Sequence, residues 1–563
     1  MVLIFLGKTK ELIFRTLKII TMKSSFLLSF LFIVFLFACD KNDDSSNDGD
    51  KTENLLLQLQ GTQIIDADKN PVYLQGIAFS NFIWSDTPFP EVHHSEIDFQ
   101  RTKDMGMNVI RFYMNYRYFE DDSNPYTYKQ SGWDWLDENI AWAKKYDIYL
   151  ILNMHAPQGG YQSSGEGDAL WDDVENQNRL AALWKAIAER YKDEVQIAGF
   201  GPVNEPVPNN SVDQWSQLAQ KLINEIRSVD KNHLLFIERA NHVKGNPPAV
   251  NFNFPQVTGE NIVYEFHGYD PFTYTHQLLE FAELGEGGKY PDENILEILN
   301  SEWLTASFNN PSLPSGTTDW TYFEGEHFKI TDDKIAFSEP VLEAAKVGGG
   351  RVYYDDIIIK EYDENDNFVR NIYQANLNTL DGWSFWSEDG SGSNGVSSTV
   401  GHNDSRSVYI EGTSNDGNMF NLQQQFIVKQ NYSYQISGWM KGENVANNAS
   451  CNIRLDFYTS TSPILKRNKA YLEAKLGEVV AWAKTNNAAL YMGEFGAGYP
   501  CFQNDKGGLQ FVRDMVDISK SNNIHFTYHV YHEDNFGLYL GGALPDPSNV
   551  NQPLIDLFTD MLK

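Results

Sequence analysis

The sequence has few cysteines, fewer basic than acidic residues, and no apolar run that would cross a bilayer as a helix. Only Cys39, Cys451 and Cys501 occur, which excludes a disulfide framework and a cysteine-rich metal site. The 44 basic residues against 76 acidic ones give a net charge of −32, which repels phosphate backbones. Nucleic acid is therefore not an expected partner.

The longest apolar run, SSFLLSFLFIVFLFAC, follows Met22 and Lys23 and has the length of a signal-peptide core. Its end, LFAC, resembles the lipid-attachment box of bacterial lipoproteins, with Cys39 as the residue that accepts the lipid. A secretion signal with an incidental cysteine is the alternative. The translation start stays open between Met1 and Met22.

Residues 40–54 form a polar, acidic segment without aromatic residues, which is the composition of a disordered tether. This segment resembles the acidic leader of lipoproteins on the outer surface of Gram-negative bacteria. With residues 1–39 as the signal segment, the chain is expected to be an outer-membrane lipoprotein, exposed at the cell surface and held by its lipid anchor only.

Short apolar runs alternate with amphipathic segments along most of the chain, a pattern typical of repeated β–α units. Eight strands are predicted to begin near Val72, Asn108, Ile148, Gln196, Leu234, Ile262, Leu490 and His525. Eight such units predict an α/β fold of the (β/α)8 TIM-barrel type. Residues 55–310 would supply strands one to six, and residues 463–563 would supply strands seven and eight.

The segment between strands six and seven differs in its periodicity. Residues 309–319, NNPSLPSGTTD, have the composition of a linker. Beyond them apolar residues recur with a period of two, as at Tyr434 and Ile436 and again at Ile453 and Leu455. We therefore predict an inserted β-sandwich over residues 315–462. Because TIM-barrel sites lie on the C-terminal face, an insert in the sixth βα loop is expected beside that face.

Two glutamates stand at the ends of two predicted barrel strands. Glu205 follows strand four in AGFGPVNEPVP, and Glu494 closes strand seven in LYMGEFGAG. Since the strand ends of a closed barrel converge on one face, the two carboxyl groups can meet in one cleft. Two carboxyl groups about 5 Å apart suit a retaining glycosidase, which needs one acid and one nucleophile with separated pKa values. Structural glutamates are the alternative.

Six motifs occur in the order LQGIAFS, NVIRFYM, ILNMHAPQGG, GFGPVNEP, YEFHGYDPF and YMGEFGA. In this order they resemble glycoside hydrolase family 5, in clan A of the retaining glycosidases. The resemblance implies that Glu205 is the general acid/base and Glu494 the nucleophile. It also implies that Asn204 bonds the sugar 2-hydroxyl, while Arg111 and Tyr269 contact the nucleophile. Catalysis would need no metal or cofactor.

The same resemblance places His155 and His267 in the subsite next to the scissile bond. Each could instead be a core histidine with satisfied hydrogen bonds. Strand eight departs from the family, because HFTYHVYHEDNFGLY lacks the usual tryptophan platform. His529 or Tyr531 is expected to take its place, since either ring can stack on a pyranose.

Tryptophans in two predicted βα loops, Trp84 and Trp171, are expected to stack on sugars, with core packing as the alternative. The insert resembles carbohydrate-binding modules of the jelly-roll type in DGWSFWSEDG and NYSYQISGWMKGENV. Its candidate stacking residues are Trp383, Trp386 and Trp439. Such modules often carry a structural Ca2+, so the acidic turns of the insert are expected to offer oxygen ligands.

These observations predict a monomeric, retaining endo-β-glycosidase that cleaves β-1,4 linkages within a plant-type polysaccharide. A β-glucan or xyloglucan is the first choice of substrate, and β-mannan is the second. The alternative from another class is a noncatalytic glycan-binding lipoprotein that keeps the barrel as a scaffold. The insert either binds glycan or only shapes the cleft.

Overall fold

The computed structural model describes residues 55–85, 87–163, 165–244 and 249–563. Eight parallel strands form a closed barrel and are hydrogen-bonded in their order along the chain. They are β1 Gln75–Phe79, β2 Val109–Asn115, β3 Tyr149–Ala156, β4 Ile197–Gly201, β5 Leu234–Glu238, β6 Ile262–Gly268, β7 Ala489–Phe495 and β8 His525–Tyr528. The predicted fold class is confirmed. The predicted signal segment, Cys39 and acidic tether lie outside the described residues.

The barrel strands are apolar because both of their faces are buried, one against the helices and one inside the barrel. The N-terminal hairpin, Gln58–Gln60 with Gln63–Ile65, lies next to this interior. Leu57 and Ile64 pack there against inward side chains such as Val109. The N-terminal half of the barrel is thus filled with apolar groups, and polar side chains gather at the C-terminal end.

The outer helices carry the predicted apolar faces, and Leu180, Trp184 and Ile187 are fully buried on one of them. The helices are Glu96–Asp104, Gln130–Tyr146, Asp168–Asp172, Val174–Tyr191, Val212–Arg227, Phe272–Thr275, Lys469–Asn486, Gly508–Ser521 and Gln552–Leu562. Between β5 and β6 the described residues form a 3₁₀ turn, Asn251–Asn253, in place of the predicted helix. Among the residues described, no helix is long and apolar enough to cross a membrane.

The insert after β6 is a sandwich of two antiparallel sheets, as predicted. One contains Ser301–Ala306, Ser450–Ser460, Phe337–Ala345, Gly417–Asn421, Trp383–Ser387 and Phe426–Ile427. The other contains Gly316–Glu324, Ser433–Val445, Arg351–Tyr362, Ser407–Glu411, Ser393–Ser397, Phe328–Lys329 and Phe368–Ala375. The alternation seen in the sequence places Tyr434, Ile436, Ile453 and Leu455 in the shared core.

The predicted boundaries of the insert were wrong at its start. Ser301–Ala306, assigned to the barrel, is an edge strand of one sheet and pairs with Ser450–Ser460. The predicted linker at 309–319 contains the first residues of Gly316–Glu324, an edge strand of the other sheet. Edge strands expose one side, so their polar residues resemble those of a loop.

The sandwich is joined to the barrel through a two-stranded sheet, Asp292–Ile298 with Ile464–Arg467. At this junction Arg467 is 1% exposed, and its Nε donates to Glu297 Oε1 at 2.6 Å. The loop after β6 also contacts the sandwich directly, because Gly382 N–H donates to the Glu286 carbonyl at 3.1 Å. The insert is therefore attached at the C-terminal side of the barrel.

Candidate active site

Glu205 and Glu494 both lie close to the same nitrogen of one histidine ring. His267 Nδ1 lies 2.8 Å from Glu205 Oε1 and 3.6 Å from Glu494 Oε2. Glu494 belongs to β7, whereas Glu205 follows the end of β4 with a left-handed φ of 40°. The backbone N–H of Glu205 donates to Glu238 Oε2 at 2.9 Å, which holds this turn in place. The predicted convergence of the two strand ends is thus present in the structure.

Three donors hold the Glu494 carboxylate. Arg111 Nη1 and the Tyr113 hydroxyl each donate to its Oε1 at 2.6 Å, and the Tyr269 hydroxyl donates to Oε2 at 2.8 Å. Arg111 and Tyr269 were predicted, but Tyr113 was not. The sequence of β2 could have indicated Tyr113, because period-two alternation puts residues 111 and 113 on the same face of the strand.

Arg111 is fully buried and connects four polar side chains. Its Nη2 donates to Asn204 Oδ1 at 2.8 Å, while its Nε lies 2.8 Å from Glu265 Oε1. Glu238 Oε2 is 3.6 Å from Nη2. The Arg111 guanidinium therefore orients both the Glu494 carboxylate and the Asn204 amide beside Glu205.

The profile of the cellulase family (glycosyl hydrolase family 5) matches residues 65–312, which include β1 to β6 and Glu205. The first part of the barrel is therefore similar to glycoside hydrolase family 5, and β7 with Glu494 and β8 lie outside the match. A second profile, described as a carbohydrate binding domain, matches residues 360–473, most of which lie in the sandwich. The resemblance stated from the motifs is confirmed.

Proteins similar to this chain are named for different activities. Endoglucanase C of Acetivibrio thermocellus is 31% identical, over 34% of this chain and 54% of that protein. A beta-xylosidase of Phanerodontia chrysosporium is 30% identical, over 38% of this chain and 52% of that protein. The chain thus spans about half the length of these curated relatives. The Thermotoga maritima endoglucanase Cel5A structure has 16% identity and a TM-score of 0.46, covering 86% of this chain and 96% of that one.

The carboxyl groups of Glu205 and Glu494 have different electrostatic surroundings. Burial raises the pKa of Glu494, but His267, His529 and Arg111 outweigh it and hold that pKa well below its usual range. Glu494 is therefore ionised, as a nucleophile must be. Burial also raises the pKa of Glu205, and the hydrogen bond with His267 lowers it below its ordinary value.

Glu238 has the opposite shift. Burial raises its pKa well above the ordinary value, and the nearby Glu265 acts in the same direction against His267 and Arg111. For His267, burial lowers the pKa, yet the carboxyl groups of Glu238 and Glu494 outweigh it and raise that pKa well above normal. Protons are thus retained on Glu238 and His267 rather than on Glu494.

Of the two candidates at strand eight, the structure brings only His529 into the site. Its Nδ1 lies 3.0 Å from the Tyr113 hydroxyl and 3.8 Å from Glu494 Oε2. Tyr531 is 1% exposed and donates to Asp98 Oδ1 at 2.8 Å, so its predicted role as a platform was wrong. The Tyr531 backbone bonds to Ala78 of β1, and its ring contacts Phe79 in the core.

The remaining predicted residues lie at different depths. His155 is buried and stacks on Tyr113 at 3.9 Å, so it contacts the site through that ring. Trp84, in the loop after β1, is 43% exposed. Trp171 is 5% exposed and packs edge-on against Trp215 at 6.2 Å, so its predicted stacking on sugars was wrong. The ring of Trp171, in the helix Asp168–Asp172, packs against the helix Val212–Arg227, which contains Trp215.

One group of side chains in the described part of the chain has ligand atoms close enough for a metal ion. Oxygen or nitrogen atoms of Glu205, Glu238 and His267 all lie within 4.8 Å of one another. Carboxylate and imidazole groups are ligands that Zn2+ accepts. His267 also lies 2.8 Å from Glu205 and 3.3 Å from Glu238, so the three groups form a short path along which a proton can move. The absence of a catalytic metal stays a prediction.

Proposed function

We propose that this protein is a retaining endo-β-glycosidase that hydrolyses internal β-1,4 linkages of a plant-type polysaccharide, with β-glucan or xyloglucan as the substrate class. The observation that carries the proposal is the proximity of Glu205 and Glu494, both of which lie within 3.6 Å of His267 Nδ1. One carboxyl group is bonded to a histidine that can supply protons, and the other is held as an anion by Arg111.

The chemistry would follow two displacements. In the first, Glu494 attacks the anomeric carbon while Glu205 protonates the leaving oxygen, which forms a glycosyl-enzyme. In the second, Glu205 takes a proton from water, and the resulting hydroxide displaces Glu494. The distance between Glu205 Oε1 and Glu494 Oε2 cannot exceed the sum of their His267 contacts, 2.8 and 3.6 Å. Inverting enzymes keep about 6.5–9.5 Å between their carboxyl groups, so these contacts favour retention.

Asn204 would bind the substrate beside this pair. Its Oδ1 accepts from Arg111, and its Nδ2 donates to Ser163 Oγ at 3.1 Å. The amide is therefore fixed in orientation before substrate arrives, which lowers the entropic cost of binding a sugar hydroxyl. A hydrogen bond to the 2-hydroxyl would tighten as the oxocarbenium-like transition state forms.

The substrate class is tested with soluble protein comprising residues 52–563. Reducing-sugar release is measured on β-glucans, xyloglucan, mannan and xylan, and the anomer formed first is identified by NMR. Glu494→Gln is the inactive variant, and Glu189→Gln, an exposed helix residue, is the matched control. Activity on a β-1,4-glucan that only Glu494→Gln abolishes supports the proposal. Activity on mannan alone would favour a β-mannanase, and binding without cleavage would favour a glycan-binding protein.

We propose that the sandwich binds the same polysaccharide. The carbohydrate-binding match supports this role, as does a pair of accessible rings on one sheet. Tyr322 is 41% exposed and lies 5.5 Å from Trp439, which stacks on His402 at 3.6 Å. Trp383, in contrast, is 2% exposed in the sandwich core, so its predicted stacking on sugars was wrong.

The binding role of the sandwich is tested in the full soluble chain carrying Glu494→Gln. Trp439→Ala should weaken retention on insoluble polysaccharide, whereas Phe368→Ala, an exposed aromatic residue on another strand, should not. If both variants are retained like the parent but melt at a lower temperature, the sandwich only shapes the cleft.

We also propose that Cys39 anchors the protein in the outer membrane. The support is the apolar run ending in LFAC and the acidic segment after it. Labelling with radioactive palmitate in a Gram-negative host should mark the native chain and leave Cys39→Ser unlabelled. Accessibility of the labelled chain to protease on intact cells tests surface exposure. Secretion of an unlabelled native chain would favour an ordinary signal peptide.

A further inference from the structure

The His267 ring bridges two carboxyl groups, and only one of them has a role so far. Its Nδ1 lies 2.8 Å from Glu205 Oε1, and its Nε2 lies 3.3 Å from Glu238 Oε1. Glu238 ends β5 and is 2% exposed. The three side chains thus form an unbroken chain from a buried carboxyl group to the general acid/base.

The charges around this chain do not balance if every carboxyl group is ionised. The carboxyl groups of Glu205, Glu238, Glu265 and Glu494 outnumber the guanidinium groups near them, which belong to Arg111 and Arg239. His267 adds a positive charge only when it is protonated. The Arg111 guanidinium lies closest to Glu494 and Glu265, at 2.6 and 2.8 Å. Glu238 lies farther from the guanidinium, at 3.6 Å, and Glu205 has its ion-pair contact with the imidazole. Because an uncompensated buried charge is costly, at least one carboxyl group is expected to keep a proton.

We propose that Glu238 and His267 hold between them the proton that Glu205 delivers to the leaving group. This inference rests on the proposed glycosidase function and makes Glu238 a positioning residue that acts through His267. In the first displacement, Nδ1–H gives its proton to the Glu205 carboxylate while the Glu238 hydroxyl gives its proton to Nε2. Glu205 then protonates the leaving oxygen. In the second displacement, the proton that Glu205 takes from water returns along the same path, so no proton is gained or lost.

The surroundings of Glu238 fit this role. Its Oε2 accepts the Glu205 backbone N–H at 2.9 Å, which leaves Oε1 facing His267. The ionisable groups that face it include Arg111 from β2, Glu205 after β4, Arg239 after β5, and Glu265 with His267 from β6. The pKa values of Glu238 and His267 are raised, and that of Glu205 is lowered. Each of these three pKa shifts favours a proton on Glu238 or His267, and not on Glu205, before the substrate binds.

The test uses Glu238→Gln, which keeps an acceptor for the Glu205 N–H but cannot store a transferable proton. Its kcat/KM is compared with wild type on phenyl and 2,4-dinitrophenyl β-glycosides of the sugar that the enzyme accepts. We expect a loss of about 10–100-fold for the phenyl glycoside, which needs the acid, and less than about 3-fold for the dinitrophenyl glycoside. The alkaline limb of the pH profile should also move to lower pH, because the pair loses proton affinity.

The comparison variant is Glu265→Gln, which removes a carboxylate beside Arg111 but lies 3.8 Å from His267 Nε2. It should reduce kcat/KM about equally for both glycosides. Partial misfolding of Glu238→Gln would likewise lower both rates together, so the ratio of the two rates is an internal control. If Glu238→Gln does not fold, Glu238→Asp, which shortens the reach to His267, should give the same selective loss.

Two results would overturn the inference in distinguishable ways. An active wild type whose Glu238→Gln variant loses both activities equally, with an unshifted pH profile, overturns the proton-holding role alone. A folded wild type that cleaves neither aryl glycosides nor polysaccharides overturns the proposed function, and the proton-holding role with it.

Discussion

Arg111 and Glu494 form a buried ion pair across the barrel, with 2.6 Å between Nη1 of the first and Oε1 of the second. They come from β2 and β7, and 382 residues lie between them in the chain. Together with His267 and His529, Arg111 holds Glu494 as an anion.

Arg111→Met should raise the pKa of Glu494 by removing one of its cationic neighbours. Because a lowered pKa keeps the nucleophile ionised in mild acid, the acid limb of the activity profile should move to higher pH. Breaking the buried pair should also cost about 3–5 kcal/mol of unfolding free energy. The pH dependence of activity measures the first effect, and urea denaturation measures the second. An acid limb that does not move would contradict the role of Arg111 in keeping Glu494 ionised.

Tyr113→Phe should lower kcat/KM about 10-fold or more, because a hydrogen bond to a charged group is worth roughly 1.5–3 kcal/mol. The ring that stacks on His155 is kept, so folding should change little. Tyr531→Phe is the matched control, since its hydroxyl bonds Asp98 outside the site. It should lose stability and keep activity; equal activity losses in both variants would argue against a specific role for Tyr113.

Glu205→Ala should lose about 10²–10⁴-fold in kcat on polysaccharide, the range that general acid–base catalysis supplies. An aryl glycoside with a good leaving group should still form the glycosyl-enzyme, which then accumulates because no base activates water. Added azide should restore turnover by attacking that intermediate and should give a β-glycosyl azide. An α-azide product would contradict retention with Glu494 as the nucleophile.

Trp171→Ala should cost about 3–5 kcal/mol of unfolding free energy, because it empties a buried site against Trp215. Its indole N–H also donates to Gln162 Oε1, which accepts the Val207 N–H after Glu205, so kcat should fall as well. Trp84→Ala, at an exposed ring, should leave stability unchanged and raise KM for polysaccharide. Thermal melts and steady-state kinetics of both variants separate these outcomes.

Dialysis against EDTA should leave kcat unchanged, since Glu205, Glu238 and His267 are used to carry a proton. If the sandwich holds the expected structural Ca2+, the same treatment should lower the melting temperature, and added Ca2+ should restore it. Loss of activity that Zn2+ restores would instead show that the three side chains bind a metal.

Much of the fold could be predicted from the sequence because its patterns are local. Buried barrel strands are short apolar runs, and the sandwich strands alternate with a period of two, so both were recognised without contacts. Edge strands such as Ser301–Ala306 were not recognised, because half of their residues face water and resemble a loop. The 3₁₀ turn between β5 and β6 was also not predicted, because the repeated β–α pattern implies a helix after each strand and does not show where one is replaced.

The sequence by itself determined which residue types end each barrel strand, and hence that Glu205 and Glu494 would be near the C-terminal face. The resemblance of its motifs to family 5 added Asn204 and Arg111. Only the tertiary structure decided their partners. Hydrogen bonds between strands far apart in the chain give Glu494 its third donor, Tyr113, and place Glu238 behind His267. Tyr531 and Trp171 had suitable chemistry, but packing directs both side chains into the core. Side-chain direction beyond a strand end depends on neighbours from other strands, which no local pattern specifies.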